Sequence, residues 1–171
     1  MSSNKKIRNA TVCKEGKITF KSKLEKSAYI TLKELGLNPQ YEPKQLTLWE
    51  GFKPITPFYD EESKYAYTRR IEEGITGPKK LICKKDKIIG IRYTCDIYFK
   101  YQNIDIWVEL KSIENDVFYI KKKMFLKYLD DLYEKTGQKS MYFEVHTKHQ
   151  LLQMVEIIKS YAEGDTEKTN G

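Results

Sequence analysis

Two acids and an amine set the chemistry open to this chain. Asp96, Glu109 and Lys111 lie in two β-rich runs, Lys87–Lys100 and Ile104–Ser112, separated by a short polar turn. In the second run Ile104, Ile106, Val108 and Leu110 alternate with Asp105, Trp107, Glu109 and Lys111, so a strand sends the apolar set inward and the other to the opposite face. In the first run Ile91, Tyr93, Cys95, Ile97 and Phe99 share one face, which leaves Arg92, Thr94, Asp96 and Tyr98 on the other. A turn centred on Gln102-Asn103 sets Tyr101 across from Ile104, and hence Asp96 across from Glu109.

Carboxylates facing each other across a ladder have Cβ atoms about 5 Å apart and destabilise the pair. At an effective dielectric near 20 the repulsion is on the order of 3 kcal/mol. A divalent cation relieves it, because hard oxygen ligands on an open face suit Mg2+, with Mn2+ as a substitute. With Lys111 on the face of Glu109, the group fits phosphodiester hydrolysis: the metal activates water and the ammonium supplies fixed positive charge. The bland alternative is a solvated strand face, on which Asp, Glu and Lys are common. A longer, bulged turn would also change the register.

The surrounding elements follow from periodicity. Leu24, Ala28, Leu32 and Leu35 recur at helical steps from Ser22, and Gly36 with Pro39 ends that helix. Tyr41–Trp49 reads as a strand, and residues 50–86, rich in Pro and Gly, as an insertion with a short helix around Glu61–Glu73. A helix over Tyr119–Lys135, a strand over Ser140–His146 and a helix over His149–Tyr161 with a stripe of Leu151, Leu152, Val155 and Ile158 complete an α-β-β-β-α-β-α order. The expected organisation is a basic flexible arm over 1–17, a single domain over 18–162 and a disordered tail over 163–171.

Composition narrows the class. At 171 residues one core is expected, and 40 % hydrophobic with 13 % aromatic residues excludes a mainly disordered chain. No apolar run is long enough to span a bilayer and the first residues do not resemble a secretion signal, so a cytoplasmic protein without a membrane partner is expected. Cys13, Cys83 and Cys95 lack metal-site spacing and read as free thiols. The net charge of +7 is concentrated, with eight Lys/Arg against two acids in 1–26 and six against one in 79–92, which suits a polyanion.

Thr94-Cys95-Asp96 followed by Val108-Glu109-Leu110-Lys111 resembles the D…ExK core of the PD-(D/E)XK nucleases. Upstream, Phe20-Lys-Ser-Lys-Leu-Glu25 and Tyr41-Glu42-Pro43 resemble the first helix and strand of phage endonuclease I-like Holliday-junction resolvases and related phage endonucleases, a likeness that extends from Phe20 to about Tyr128. The resemblance implies a restriction-endonuclease-like α/β core with a central mixed four-stranded sheet flanked by helices. It further implies metal binding by Asp96, Glu109 and the backbone carbonyl of Leu110, a catalytic Lys111, and help from Glu25. Cys95 stands where the family often has proline.

Several residues carry two readings. Ser22 and Glu25 also form a capping box, so Glu25 is either a metal-shell acid or a helix cap. Lys121, Lys122 and Lys123, with Arg92, are candidate DNA contacts, while a solvated helix face explains the three lysines equally well. Trp107 is expected to pack on Tyr98, and His146 and His149 to be structural. The expected function is a Mg2+-dependent endodeoxyribonuclease acting on branched or duplex DNA in recombination, phage-associated and a possible homodimer, since paired incisions suit two-fold symmetry. The alternatives are a non-catalytic nucleic-acid- or protein-binding module on the same fold and a transposase-like subunit that needs a partner.

Overall fold

The computed structural model describes residues 12–111 and 116–169. They form an α/β protein that divides into two compact units, one of the described residues up to Leu48 and from Arg92 onward, the other of Trp49–Ile91.

The larger unit is built on a mixed four-stranded sheet. Its strands are β3 (Gln40–Tyr41), β8 (Ile97–Tyr101), β9 (Ile104–Leu110) and β10 (Lys139–Val145), in the order β10-β9-β8-β3. β8 and β9 are antiparallel, joined at Gln102-Asn103, with Tyr101 opposite Ile104 and Ile97 opposite Val108, the expected register. Gln102 takes a positive φ of 50°, the backbone that so short a turn demands. β10 runs parallel to β9, and such a pair needs a crossover, supplied by α3 (Asp116–Thr136).

Both faces of this sheet are covered. On one, Ile97, Phe99, Ile106 and Val108 pack with Ala28 and Leu32 of α1 (Lys23–Glu34) and with Leu151, Met154, Val155 and Ile158 of α4 (Lys148–Thr169). On the other, Trp107, Tyr93 and Cys95 pack with Phe125 and Leu129 of α3 and with Leu46. Every residue of β9 is therefore buried, Asp105 and Glu109 included, which overturns the solvated-face alternative. Among the described residues no helix is long and apolar enough to cross a membrane.

Several expected elements differ. Tyr41–Trp49 is two strands, β3 and β4 (Leu46–Trp49), because Glu42 adopts a φ of 43° and Pro43 has no N–H to continue a ladder. β4 pairs instead with β7 (Ile91–Tyr93). The run Lys87–Lys100 is likewise broken, into β7 and β8, by a bend at Asp96. The bend reverses the alternation: Tyr93 and Cys95 join the Trp107 core, whereas Ile97 and Phe99 join the opposite one. Part of the expected arm is ordered, as β1 (Cys13–Glu15) pairs with β2 (Ile18–Phe20), while residues 1–11 lie outside the described residues. α4 runs on to Thr169, through most of the expected tail, and it buries Met154 rather than Leu152.

The smaller unit contains β5 (Phe58–Glu61) paired with β6 (Leu81–Lys84), and α2 (Lys64–Glu72). The stretch 50–86, set apart in the sequence, lies inside it. Its one buried residue is Glu62, held by Arg70 through Nε–Oε1 at 3.1 Å and Nη2–Oε2 at 3.0 Å. Gly51 and Gly90 lie so close that a Cβ on Gly51 would sit 2.6 Å from the Ile88 carbonyl oxygen, and one on Gly90 2.5 Å from that of Trp49.

Candidate active site

Asp96 is fixed from two sides. The Glu42 amide donates to its carbonyl oxygen at 2.9 Å, which extends the β3–β8 pairing by one bond. Its carboxylate Oδ2 accepts the Leu110 amide at 2.7 Å. In an unbroken strand that amide would have met a main-chain carbonyl of the preceding run. The bend removes it, and the acid side chain takes its place. The Cys95 thiol acts in the same way, donating to the Val108 carbonyl oxygen at 2.9 Å. Two side chains thus complete the end of the β9 ladder, and so the acid has one orientation.

Glu109, 4 % exposed, has both oxygens engaged. Oε1 pairs with Lys111 Nζ at 2.6 Å, and Oε2 accepts the Tyr93 hydroxyl at 2.5 Å. The Lys111 ammonium also lies 4.1 Å from the centre of the Phe118 ring, a cation–π contact that leads it back over the sheet. Burial, and then the charge of Glu109, push the Asp96 carboxyl up to about 7, with Glu25 adding in the same direction. The Leu110 amide and Lys111 oppose this without cancelling it. Asp96 stands at the bend and not within the strand, so the ladder ends at Ile97–Val108 and the expected Asp96–Glu109 pair is not part of it.

Glu25 takes the capping role, with both of its oxygens engaged. Ser22 caps α1 by accepting the Glu25 amide at 3.2 Å, and its hydroxyl donates to Glu25 Oε1 at 2.9 Å. Oε2 accepts the Lys21 amide at 3.0 Å and the Tyr41 hydroxyl at 2.5 Å. The cap thus holds a buried acid whose charge is felt at Asp96. Lys21 forms an ion pair with Glu42. Burial pulls the Lys21 ammonium down, but the hydrogen bond and charge of Glu42, with Asp96 and Glu25 beyond, raise it overall.

The expected DNA contacts have different surroundings. Lys122 is bound to Glu144 at 2.5 Å, and Glu144 is the β10 neighbour of Glu109. Arg92 is exposed and donates to Gln45 Oε1 at 3.2 Å; Lys123 is exposed and Lys121 half-buried. Trp107 packs on Tyr98 with ring centres 4.6 Å apart, as expected. His146 lies 3.4 Å from Glu144 Oε1, and its amide and that of Thr147 donate to Gln150, which caps α4.

Tyr93, Tyr41 and Lys21 are site residues that sequence patterning missed. Tyr93 appeared to share a face with Ile97, and only the bend turns it toward Glu109. The Phe20-Lys-Ser-Lys-Leu-Glu25 and Tyr41-Glu42-Pro43 segments were noted, but nothing in their spacing says that the Tyr41 hydroxyl meets Glu25.

Among the described residues no group of three or more His, Cys, Asp or Glu is arranged to hold a metal ion. Two acids can nevertheless serve a cation that keeps several waters. Asp96 Oδ1 accepts no hydrogen bond among the described residues. The extended backbone turns the Leu110 carbonyl toward the same edge as its amide, hence toward Asp96. This donor set suits Mg2+ or Mn2+. The chain matches no family model, no curated protein and no solved structure.

Proposed function

We propose that the chain is a metal-dependent endonuclease that hydrolyses DNA phosphodiester bonds, with Asp96 and Glu109 as ligands of Mg2+ or Mn2+ and Lys111 as the catalytic cation, on a restriction-endonuclease-like core. The observation that carries it is the arrangement at the end of the β8–β9 hairpin, where the Leu110 amide holds the Asp96 carboxylate at 2.7 Å and the Lys111 ammonium lies 2.6 Å from the buried Glu109. Burying two acids together costs stability, and a bound cation recovers that cost.

A bound divalent ion supplies Lewis acidity toward water and the phosphoryl oxygens. The chain does the rest. The Leu110 amide keeps Asp96 Oδ2 in place, so the acid loses its proton near neutral pH without changing orientation. Asp96 and Glu109 would hold the ion, and the Lys111 ammonium, 2.6 Å from Glu109 Oε1, would supply fixed positive charge beside an anionic phosphate oxygen, which lowers the barrier. Glu25 adds negative potential at Asp96 and so favours a cation there.

The basic stretches 1–26 and 79–92 support a nucleic-acid substrate, and the resemblance to junction resolvases supports branched DNA cut by a homodimer. Four-way junction, nicked and linear duplex DNA, each incubated with Mg2+ or Mn2+, test this. Cutting of the junction is expected, with Asp96→Asn abolishing cleavage while leaving DNA binding. Absence of cleavage on all three substrates, or cleavage by Asp96→Asn, refutes it.

A further inference from the structure

The two partners of Glu109 differ in kind. Lys111 is a cation with a side chain 21 % exposed, so an arriving metal ion replaces one positive charge with another at Oε1. Tyr93 is neutral and 6 % exposed, and its ring packs on Phe125 with centres 4.7 Å apart. Removing its hydroxyl from Oε2 means breaking a buried charge-assisted hydrogen bond and disturbing the aromatic core. Oε1 is therefore exchangeable and Oε2 is not. Asp96 is restricted in the same way, since the Leu110 amide holds Oδ2 and leaves Oδ1.

We propose that Tyr93 is a specificity-determining positioning residue: by holding Oε2 of Glu109 it confines that acid to one-oxygen ligation and so selects a small octahedral cation over calcium. Mg2+ takes one oxygen from each carboxylate and completes its shell with water, whereas Ca2+ takes six to eight oxygens and gains from two-oxygen carboxylate contacts. This rests on Asp96 and Glu109 forming a divalent-cation site.

Calorimetric titration of the full chain with MgCl2 and with CaCl2 tests it, comparing wild type with Tyr93→Phe, which keeps the ring and removes only the hydroxyl, and using Asp96→Asn as the baseline. Tyr93→Phe should shift the Ca2+ to Mg2+ affinity ratio toward calcium by about tenfold, roughly 1.4 kcal/mol. An unchanged ratio overturns the role of Tyr93 and leaves the metal site standing, whereas a wild type that binds neither ion overturns the site itself. Difference infrared spectroscopy of the wild type on Ca2+ addition gives a second readout that is independent of how the variant folds. Carboxylate bands split as for one-oxygen ligation are expected, and the narrow splitting of two-oxygen ligation would refute the proposal.

Discussion

Each unit of this protein draws an acid at least partly out of solvent, and the two treat it in opposite ways. In the smaller unit Glu62 meets a guanidinium, and the hydrogen bonds from Arg70 hold its carboxyl below the ordinary range. In the larger unit Asp96 meets burial and a second acid, and its carboxyl rises to about 7. The surroundings differ to match. The larger unit has apolar cores on both faces of its sheet, whereas no hydrophobic residue of the smaller unit is buried and Ile55, Leu81 and Ile89 lie open to solvent. A unit with a large core can carry an uncompensated charge; one organised around an ion pair cannot lose a partner.

The sharpest test of this contrast strikes the core. Phe125→Ala removes a fully buried ring that touches Tyr93, Trp107 and Tyr142, and should destabilise the larger unit by about 3–5 kcal/mol in denaturant unfolding. Arg70→Met should act locally: amides of 49–91 lose hydrogen-exchange protection while those of β9 keep theirs. Loss of protection in both units would break the comparison.

Acidity should separate the two units by sign. Glu62, lowered in the fold, contributes stability that is complete above its unfolded value near about 4.3 and is lost as pH falls through the folded one. Asp96, raised in the fold, binds more protons folded than unfolded, so without divalent ions the larger unit should lose stability as pH climbs from about 4 to about 7. Hydrogen exchange from about pH 2 to about pH 7, corrected for intrinsic rates, should therefore show protection rising with pH around Glu62 below about 4.3 and falling around β9 above about 4. Asp96→Asn should flatten the second trend alone. The smallest effect is expected at Leu81→Ser, within about 0.5 kcal/mol, because that side chain is 73 % exposed. A larger loss would mean that the residue is covered in solution.

Much of this was readable in the chain because it depends on local spacing. Ser22 and Gly36 bound the first helix, the Gln102-Asn103 turn set the hairpin register, and Glu109 and Lys111 form a close pair on β9 and just beyond it. What stayed hidden depends on contacts between distant segments. The bend at Asp96 is stabilised by the Leu110 amide and the Val108 carbonyl, and no periodicity in 87–100 announces it. By turning Tyr93, it decides which side chain touches Glu109. The burial of Glu109 was equally illegible, because an alternating strand looks half-solvated until a helix such as α3 covers its polar face. Lys122 looked available for phosphate until Glu144, its partner from β10, came into view.

The tight connection at Gln102-Asn103 makes this protein more vulnerable to insertions and deletions than to point changes in its charged residues. One codon added there would slide β9 along β8 by a single position and exchange its two sides. Ile106 and Val108 would take the stations of Trp107 and Glu109, and the acid would be driven into the aliphatic layer beneath α1 and α4. Loop length at this spot therefore decides where the site residues stand, although the loop itself contains none of them.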